Sequence, residues 1–311
     1  MRIAFFGSDA FAVPSLEALA AAGHEVALVV TNPDRPRGRS GTPRPTPVKE
    51  VALRLGAPVL QPEGRPRRAT REAVERSDAD LGVVVAYGQY LGKRLREAPR
   101  LGYSINLHAS LLPRWRGAAP VAAALLAGDP VTGVSVQKVD RRMDAGDVLA
   151  RREVPVAPED TRGSLRARLA TEGAALLVEA VEAIARGEAR FEAQDEAQAT
   201  HAPLLRKEDG RLDLARGARE LDRRVRATTP WPGAFLELPR GRLKVLSARP
   251  LDGGRAGADP GTVLGLAEEG LLVATGEGVL ELLEVQPPGK RPMSGRAYAN
   301  GRRLAAGVPL A

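Results

Sequence analysis

Asn106 and His108 stand two places apart in the run Ser104-Ile105-Asn106-Leu107-His108. In extended backbone, residues i and i+2 project to one side, so the carboxamide and the imidazole share a face and Leu107 takes the other. Both can donate hydrogen bonds, and two donors converging on one point suit a carbonyl oxygen gaining charge in a tetrahedral intermediate. A carboxylate would complete the set by orienting or charging the imidazole, or by accepting a proton. Asp140, Asp144 and Asp147 all follow the next apolar run, and spacing alone does not choose among them. Ser110 offers a competing serine-hydrolase reading with His108 and an Asp, but the G-x-S-x-G elbow is absent.

A second group is basic. Residues 31–49 carry Arg35, Arg37, Arg39, Arg44 and Lys49 against the single Asp34, within a stretch holding five prolines and two glycines. That composition precludes a continuous helix or ladder and predicts an exposed, positively charged loop, for which phosphate is the natural ligand. The Gly7-Ser8-Asp9 turn and Asp34 invite a dinucleotide reading, but positions 9 and 12 are Asp9 and Ala12, so the G-x-G-x-x-G fingerprint is incomplete.

Other chemistries are excluded by composition. With no Cys, the chain has no disulfide, thiol nucleophile or thiolate metal site. With His only at 24, 108 and 201 there is no local histidine cluster, and no metal is expected. The amino-terminal residues run straight into an apolar segment without an export-signal pattern. The longest apolar stretches, Leu81 to Gly88 and Ala118 to Gly128, fall short of the ~18–20 residues that span a bilayer. These features predict a cytoplasmic protein without a membrane partner; nothing demands more than a monomer.

The elements that hold these residues read as α/β. Arg2 to Phe6, Glu25 to Val30, Asp80 to Ala86, Ser104 to Leu107 and Gly133 to Val139 are strand-like, and they alternate with helical patterns at Val13 to Ala22, Val48 to Leu55 and Ala119 to Leu126. Such alternation predicts a mostly parallel sheet, with chemistry just beyond the carboxyl ends of Phe6, Val30, Ala86, Leu107 and Val139. A long helix is predicted from Thr161 to Arg186, capped by Thr161 or Ser164 and stopped at Gly187. The 311 residues, 43% hydrophobic and 27% charged, suffice for two folded domains. The expected boundaries are a first domain at 1–187, a polar linker at 188–205 and a second domain at 206–311. In the second, a helix near Leu214 to Ala227 precedes short runs punctuated by Gly, Pro and Asp, which predict a small β-barrel. Net charge is +8, and residues 201–311 contribute +5 of it from 18 basic and 13 acidic residues, pointing to an anionic partner such as nucleic acid. The excess of Arg (40) over Lys (6) gives a compositional explanation equal weight.

The segment Asn106-Leu107-His108-Ala109-Ser110-Leu111-Leu112-Pro113, its continuation Arg114-Trp115-Arg116-Gly117-Ala118-Ala119-Pro120, and Met143-Asp144-Ala145-Gly146-Asp147 resemble the enzymes that transfer a formyl group from 10-formyltetrahydrofolate. The Asp34-Arg35-Pro36 loop with Pro47-Val48-Lys49, Pro230-Trp231-Pro232, and Val285-Gln286-Pro287-Pro288-Gly289-Lys290 resemble the methionyl-tRNA formyltransferase family, so the likeness covers nearly the whole chain. It implies a Rossmann-like formyltransferase domain, a linker and an OB-like barrel that helps hold tRNA. It implies catalytic roles for Asn106, His108 and Asp144, a folate-binding segment at Ser110, Leu111, Leu112 and Pro113, and initiator methionyl-tRNA contacts at Arg35, Arg37, Arg39 and Arg44, with Arg39 foremost. Ala109 stands where Gly is common, and Ser40-Gly41 where relatives often have paired lysines, which shifts the expected contacts toward arginine. The competing readings are formylation of glycinamide ribonucleotide or a sugar amine, and a non-catalytic RNA-binding protein on the same scaffold.

Overall fold

The computed structural model describes residues 1–36, 41–66, 68–239, 241–251 and 257–310. The chain divides into two compact units: Met1–Pro120, Val131–Pro155 and Arg166–Ala202 form the first, and Val121–Pro130, Val156–Leu165 and Pro203–Ala311 the second. In chain order the elements begin β1 (Arg2–Gly7), α1 (Val13–Ala21), β2 (Glu25–Val30), β3 (Arg35–Pro36), β4 (Pro43–Arg44), α2 (Pro47–Arg54), β5 (Val59–Leu60) and α3 (Arg68–Arg76). They continue β6 (Leu81–Val85), α4 (Lys93–Arg96), β7 (Ser104–His108), β8 (Arg116–Gly117), α5 (Pro120–Ala127), β9 (Val131–Lys138), β10 (Val148–Pro155), α6 (Arg162–Ala185) and β11 (His201–Ala202).

The first unit is built on a seven-stranded sheet of order β10-β9-β7-β6-β1-β2-β5. Ile3, Ala4, Phe5 and Phe6 of β1 and Leu81, Val83 and Val85 of β6 are wholly buried. A strand covered on both faces must be apolar at every position, which is why these two read as unbroken hydrophobic runs. Gly7 ends β1 where space is short: a Cβ there would lie 3.0 Å from both the Val85 carbonyl oxygen and the Ala12 Cβ. Helix α2 starts where Thr46 accepts the Lys49 amide hydrogen at 3.1 Å and Pro47 pre-sets the first turn.

Strands β7, β6, β1, β2 and β5 are parallel, as expected, but β9 is antiparallel to β7 and β10 antiparallel to β9. The loop after β9 therefore leaves at the amino end of β7. Lys138 pairs with Ile105 and Ser135 with His108, so β9 runs away from His108 and the following loop must fold back. Strand direction depends on the path of the connection, and an apolar run carries no mark of it.

Residues 188–202, irregular and polar in sequence, are hydrogen-bonded into the first unit. Glu192 and Val148 exchange backbone hydrogen bonds of 2.8 and 2.9 Å, and β11 pairs in parallel with β8. Lys138 lies over the rings of Phe191 and Tyr103, 4.2 and 5.4 Å from their centroids.

The second unit contains α7 (Ala218–Thr228), β12 (Ala234–Leu238), β13 (Gly241–Leu251), β14 (Val263–Leu266), β15 (Leu271–Ala274), β16 (Val279–Gln286), β17 (Met293–Ser294) and α8 (Gly295–Arg302). Its antiparallel sheet has the order β12-β13-β16-β15-β14, with β17 on β16, and bulges interrupt β13 between Val245 and Ala248. Leu221 and Val225 of α7 pack with Leu236, Leu243, Val273, Leu280 and Leu282 in one core. Among the described residues, no helix is long and apolar enough to cross a membrane.

Candidate active site

Strand β7 is an interior strand, paired with β6 on one side and β9 on the other. Its two faces differ. A Cβ on Gly173 of α6 would meet the Leu107 side chain at 2.8 Å, so Leu107 faces that helix and Asn106 and His108 face the other way. Directly opposite them on β9 lie Gln137 and Ser135, on the same face. The alternation Val134-Ser135-Val136-Gln137 is the signal by which these two polar residues could have been recognised from sequence.

His108 has a polar neighbour at each ring nitrogen. Nε2 lies 2.9 Å from the Trp115 carbonyl oxygen, and Nδ1 lies 3.6 Å from Asp144 Oδ2. A carbonyl only accepts, so Nε2 carries a proton; the Nδ1–Asp144 separation is an approach longer than a hydrogen bond. Side-chain exposure is 8% for His108 and 14% for Asp144, so the pair sits where water screens little. Asp144 itself adopts φ +52°, a left-handed conformation that Asp tolerates better than most residues. Its Oδ2 accepts the Gly117 amide hydrogen at 2.9 Å, and its Oδ1 accepts from Gln137 Nε2 at 3.1 Å. Gly117 is required as glycine: its φ is +118°, and a Cβ would lie 2.7 Å from the Ala202 carbonyl oxygen. The Gly117 amide is a site component that leaves no such signal in the sequence.

Of the three candidate carboxylates, the structure brings Asp144 to His108, while Asp140 lies 4.0 Å from the Arg96 guanidinium. Among the described residues the Asn106 carboxamide has no hydrogen-bond partner, which leaves its amide hydrogens for an incoming oxygen.

Residues Ser110, Leu111, Leu112 and Pro113 follow directly, but two of their side chains turn inward. The Ser110 hydroxyl is fully buried and donates to the Arg114 carbonyl oxygen at 2.6 Å, and Leu112 is 1% exposed. Ser135 Oγ fixes the backbone, donating to Ser110 O at 2.7 Å and accepting from Leu112 N–H at 3.0 Å. Leu111 and Pro113 are half-buried.

Arg35 and Arg44 are exposed and sit directly opposite each other in the β3–β4 ribbon. Like charges so placed repel, and among the described residues neither side chain has a carboxylate partner. The nearby Asp34 is committed elsewhere: Lys49 Nζ lies 2.7 Å from it and Gln61 Nε2 2.6 Å, and these bonds, Lys49's foremost, hold its carboxyl below the usual range. Arg37 and Arg39 lie outside the described residues. Among the described residues, no group of three or more His, Asp and Glu could hold a metal ion.

Comparison with known proteins places this geometry. Residues 1–181 match the family model described as formyl transferase, and residues 204–303 match that of the formyl transferase C-terminal domain. A curated methionyl-tRNA formyltransferase from Symbiobacterium thermophilum is 46% identical over 309 residues, covering 99% of this chain and 94% of that protein. Among solved structures, an N-formyltransferase from Helicobacter canadensis, in complex with folinic acid and dTDP-3-aminofucose, is similar with a TM-score of 0.68 at 15% identity, covering 90% of this chain and 98% of that one. HypX from Aquifex aeolicus, in complex with tetrahydrofolic acid, gives 0.62 at 19% identity, covering 96% of this chain and 47% of that one. The two structures share the fold, and the sequence relationship is specific: the chain belongs to the methionyl-tRNA formyltransferase family.

Proposed function

We propose that the protein transfers the formyl group of 10-formyltetrahydrofolate to the α-amino group of methionine esterified to initiator tRNA. The observation that carries this reading is His108 set against Asp144 beside an Asn106 carboxamide with no partner of its own among the described residues. Family membership supplies the reaction class, and the name of the 46%-identical relative supplies the acceptor.

The nucleophile is the methionyl α-amine. With an α-amino pKa of about 7.7–8.0 in peptides, a useful fraction is neutral near neutral pH, so a strong base is not the main need. The harder task is charge on the formyl oxygen as the amine nitrogen bonds to the formyl carbon. Asn106 donates to that oxygen, joined by His108 once its Nε2–H exchanges the Trp115 carbonyl for the substrate's. Asp144 stabilises the doubly protonated imidazole and receives, directly or through water, the proton lost by the amine. Collapse of the intermediate breaks the bond to N10 of the folate, and the proton taken up by Asp144 returns to that nitrogen as it leaves. No covalent enzyme intermediate is needed.

The folate donor is assigned to the segment 110–113. Since the Ser110 hydroxyl and Leu112 side chain are buried, its contacts there come from Leu111, Pro113 and the backbone. The tRNA acceptor end is assigned to the basic ribbon, because Arg35 and Arg44 face each other without a counter-charge among the described residues, and a phosphate between them would relieve the repulsion.

The deciding experiment is transfer of labelled formyl from 10-formyltetrahydrofolate to methionine-charged initiator tRNA, with charged elongator tRNA and glycinamide ribonucleotide as parallel acceptors. Product on the initiator tRNA alone is expected. Product on the small amine instead would retain the chemical site and overturn the acceptor; no product on any acceptor would overturn the enzymatic reading.

A further inference from the structure

The loop carrying Asp144 has little structure of its own. It leaves β9 at the end remote from His108 and is closed at its base by the Lys138 N–H bond to Asp147 O, 2.9 Å. Between those points, the left-handed Asp144 has to be held by groups from elsewhere.

Gln194 supplies them. Its Oε1 accepts from Arg116 Nε at 3.0 Å, and a guanidinium nitrogen only donates, so the orientation of the Gln194 amide is fixed. Its Nε2 therefore faces the loop, 2.7 Å from Gly146 O, 2.9 Å from Asp144 O and 3.2 Å from Gln137 Oε1. The same logic then fixes Gln137: with its oxygen toward Gln194, its Nε2 points at Asp144 Oδ1. A flipped Gln137 would set its oxygen against a carboxylate, and at 2% exposure there is no room for water to mediate. Arg116 is itself anchored, 4% exposed and forked onto both oxygens of Glu196 at 3.1 Å. Donation thus runs one way, from Arg116 to Gln194 to Gln137 to the carboxylate, while the same Gln194 amide grips the backbone on either side of Ala145.

We propose that Gln194 is a positioning residue, which fixes both the loop backbone at Asp144 and, through Gln137, the direction of the Asp144 carboxylate toward His108. The inference rests on the reading that Asp144 serves His108 in formyl transfer. Its test compares Gln194→Glu, Asp144→Asn and the double variant of the full-length protein in steady-state and single-turnover formylation. Gln194→Glu keeps the acceptor for Arg116 but turns a second oxygen toward the loop carbonyls, so the fold is retained and the grip is lost. The expected result is kcat lowered about 10–100-fold, as for a small misplacement of a reacting group, with KM for folate and tRNA and the melting temperature unchanged. In the Asp144→Asn background, Gln194→Glu should change kcat by no more than about 2-fold, because the two act as one unit.

A Gln194→Glu enzyme with wild-type kcat, while Asp144→Asn is crippled, would overturn the positioning role alone. So would an undiminished further loss in the Asp144→Asn background, which would mark general damage. An Asp144→Asn enzyme with wild-type kcat would overturn the underlying reading and the inference with it. Should Gln194→Glu fail to fold, Gln194→Met, neutral and of similar length, carries the same comparison.

Discussion

The Asn106–His108–Asp144 cluster and the Arg35–Arg44 ribbon belong to one unit and are organised on opposite principles. In the first, His108 and Asp144 are shielded and their polar atoms are matched to a donor or acceptor by the chain itself. In the second, two cations are exposed, opposed and without a carboxylate among the described residues. Preorganised dipoles in a site shielded from water stabilise developing charge at no cost of rearrangement during reaction. Unneutralised surface charge instead gives long-range attraction and affinity that salt can tune. Under the function proposed above, chemistry belongs to the first region and capture of the anionic acceptor to the second.

The sharpest way to break it is to remove one member of the inner cluster. Asn106→Ala or His108→Ala should reduce the single-turnover rate about 10²–10³-fold, the scale of one missing oxyanion donor, with KM values little changed; a near wild-type rate for either would remove that residue from the chemistry. A smaller effect is expected from Arg35→Ala/Arg44→Ala. That variant should raise KM for tRNA and flatten the plot of log affinity against log salt by about 1, for the one phosphate no longer held between the two arginines, while the rate at saturating tRNA stays unchanged. An unaltered salt dependence would reduce the ribbon to a solvated connector. The smallest expected change is for Ser110→Ala, which deletes a buried donor and should cost about 1 kcal/mol in urea unfolding with folate KM intact. A rise in folate KM without loss of stability would move that hydroxyl from structure to substrate.

Much of the scaffold is legible in the sequence because burial writes itself into composition. β1, β2 and β6 are apolar runs of strand length, β7 alternates Ile105 and Leu107 with polar residues, and α6 lies within one residue of its predicted ends. What stays hidden follows from other physics. The segment around β10, Val-Leu-Ala-Arg-Arg-Glu-Val-Pro, is an edge strand whose charged side chains break the apolar pattern. Helix α8 holds two glycines and an asparagine, so its propensity argues against it, and Ser294 at its cap together with burial of Tyr298 and Ala299 overrides that preference. In the site, Asn106 and His108 are visible through their spacing on one strand. The choice of Asp144 rests on resemblance, since three aspartates share that loop. Gln194 is invisible, because a polar residue bonded to polar groups leaves no hydrophobic period in its neighbourhood.

The placement of the acid on a hairpin between β9 and β10, with the amide and imidazole on an interior strand, makes the two halves of the site unequal under insertion and deletion. One added residue within β7 would exchange faces, sending Asn106 or His108 toward α6 and bringing Leu107 into the site, because side chains alternate with period two. One added residue near Arg141 would only lengthen a surface excursion at the sheet's edge, leaving every strand in register. Length variation among descendants of this chain should therefore be purged from the strand that carries His108 and accumulate in the loop that carries Asp144, on the side of it away from Gly146.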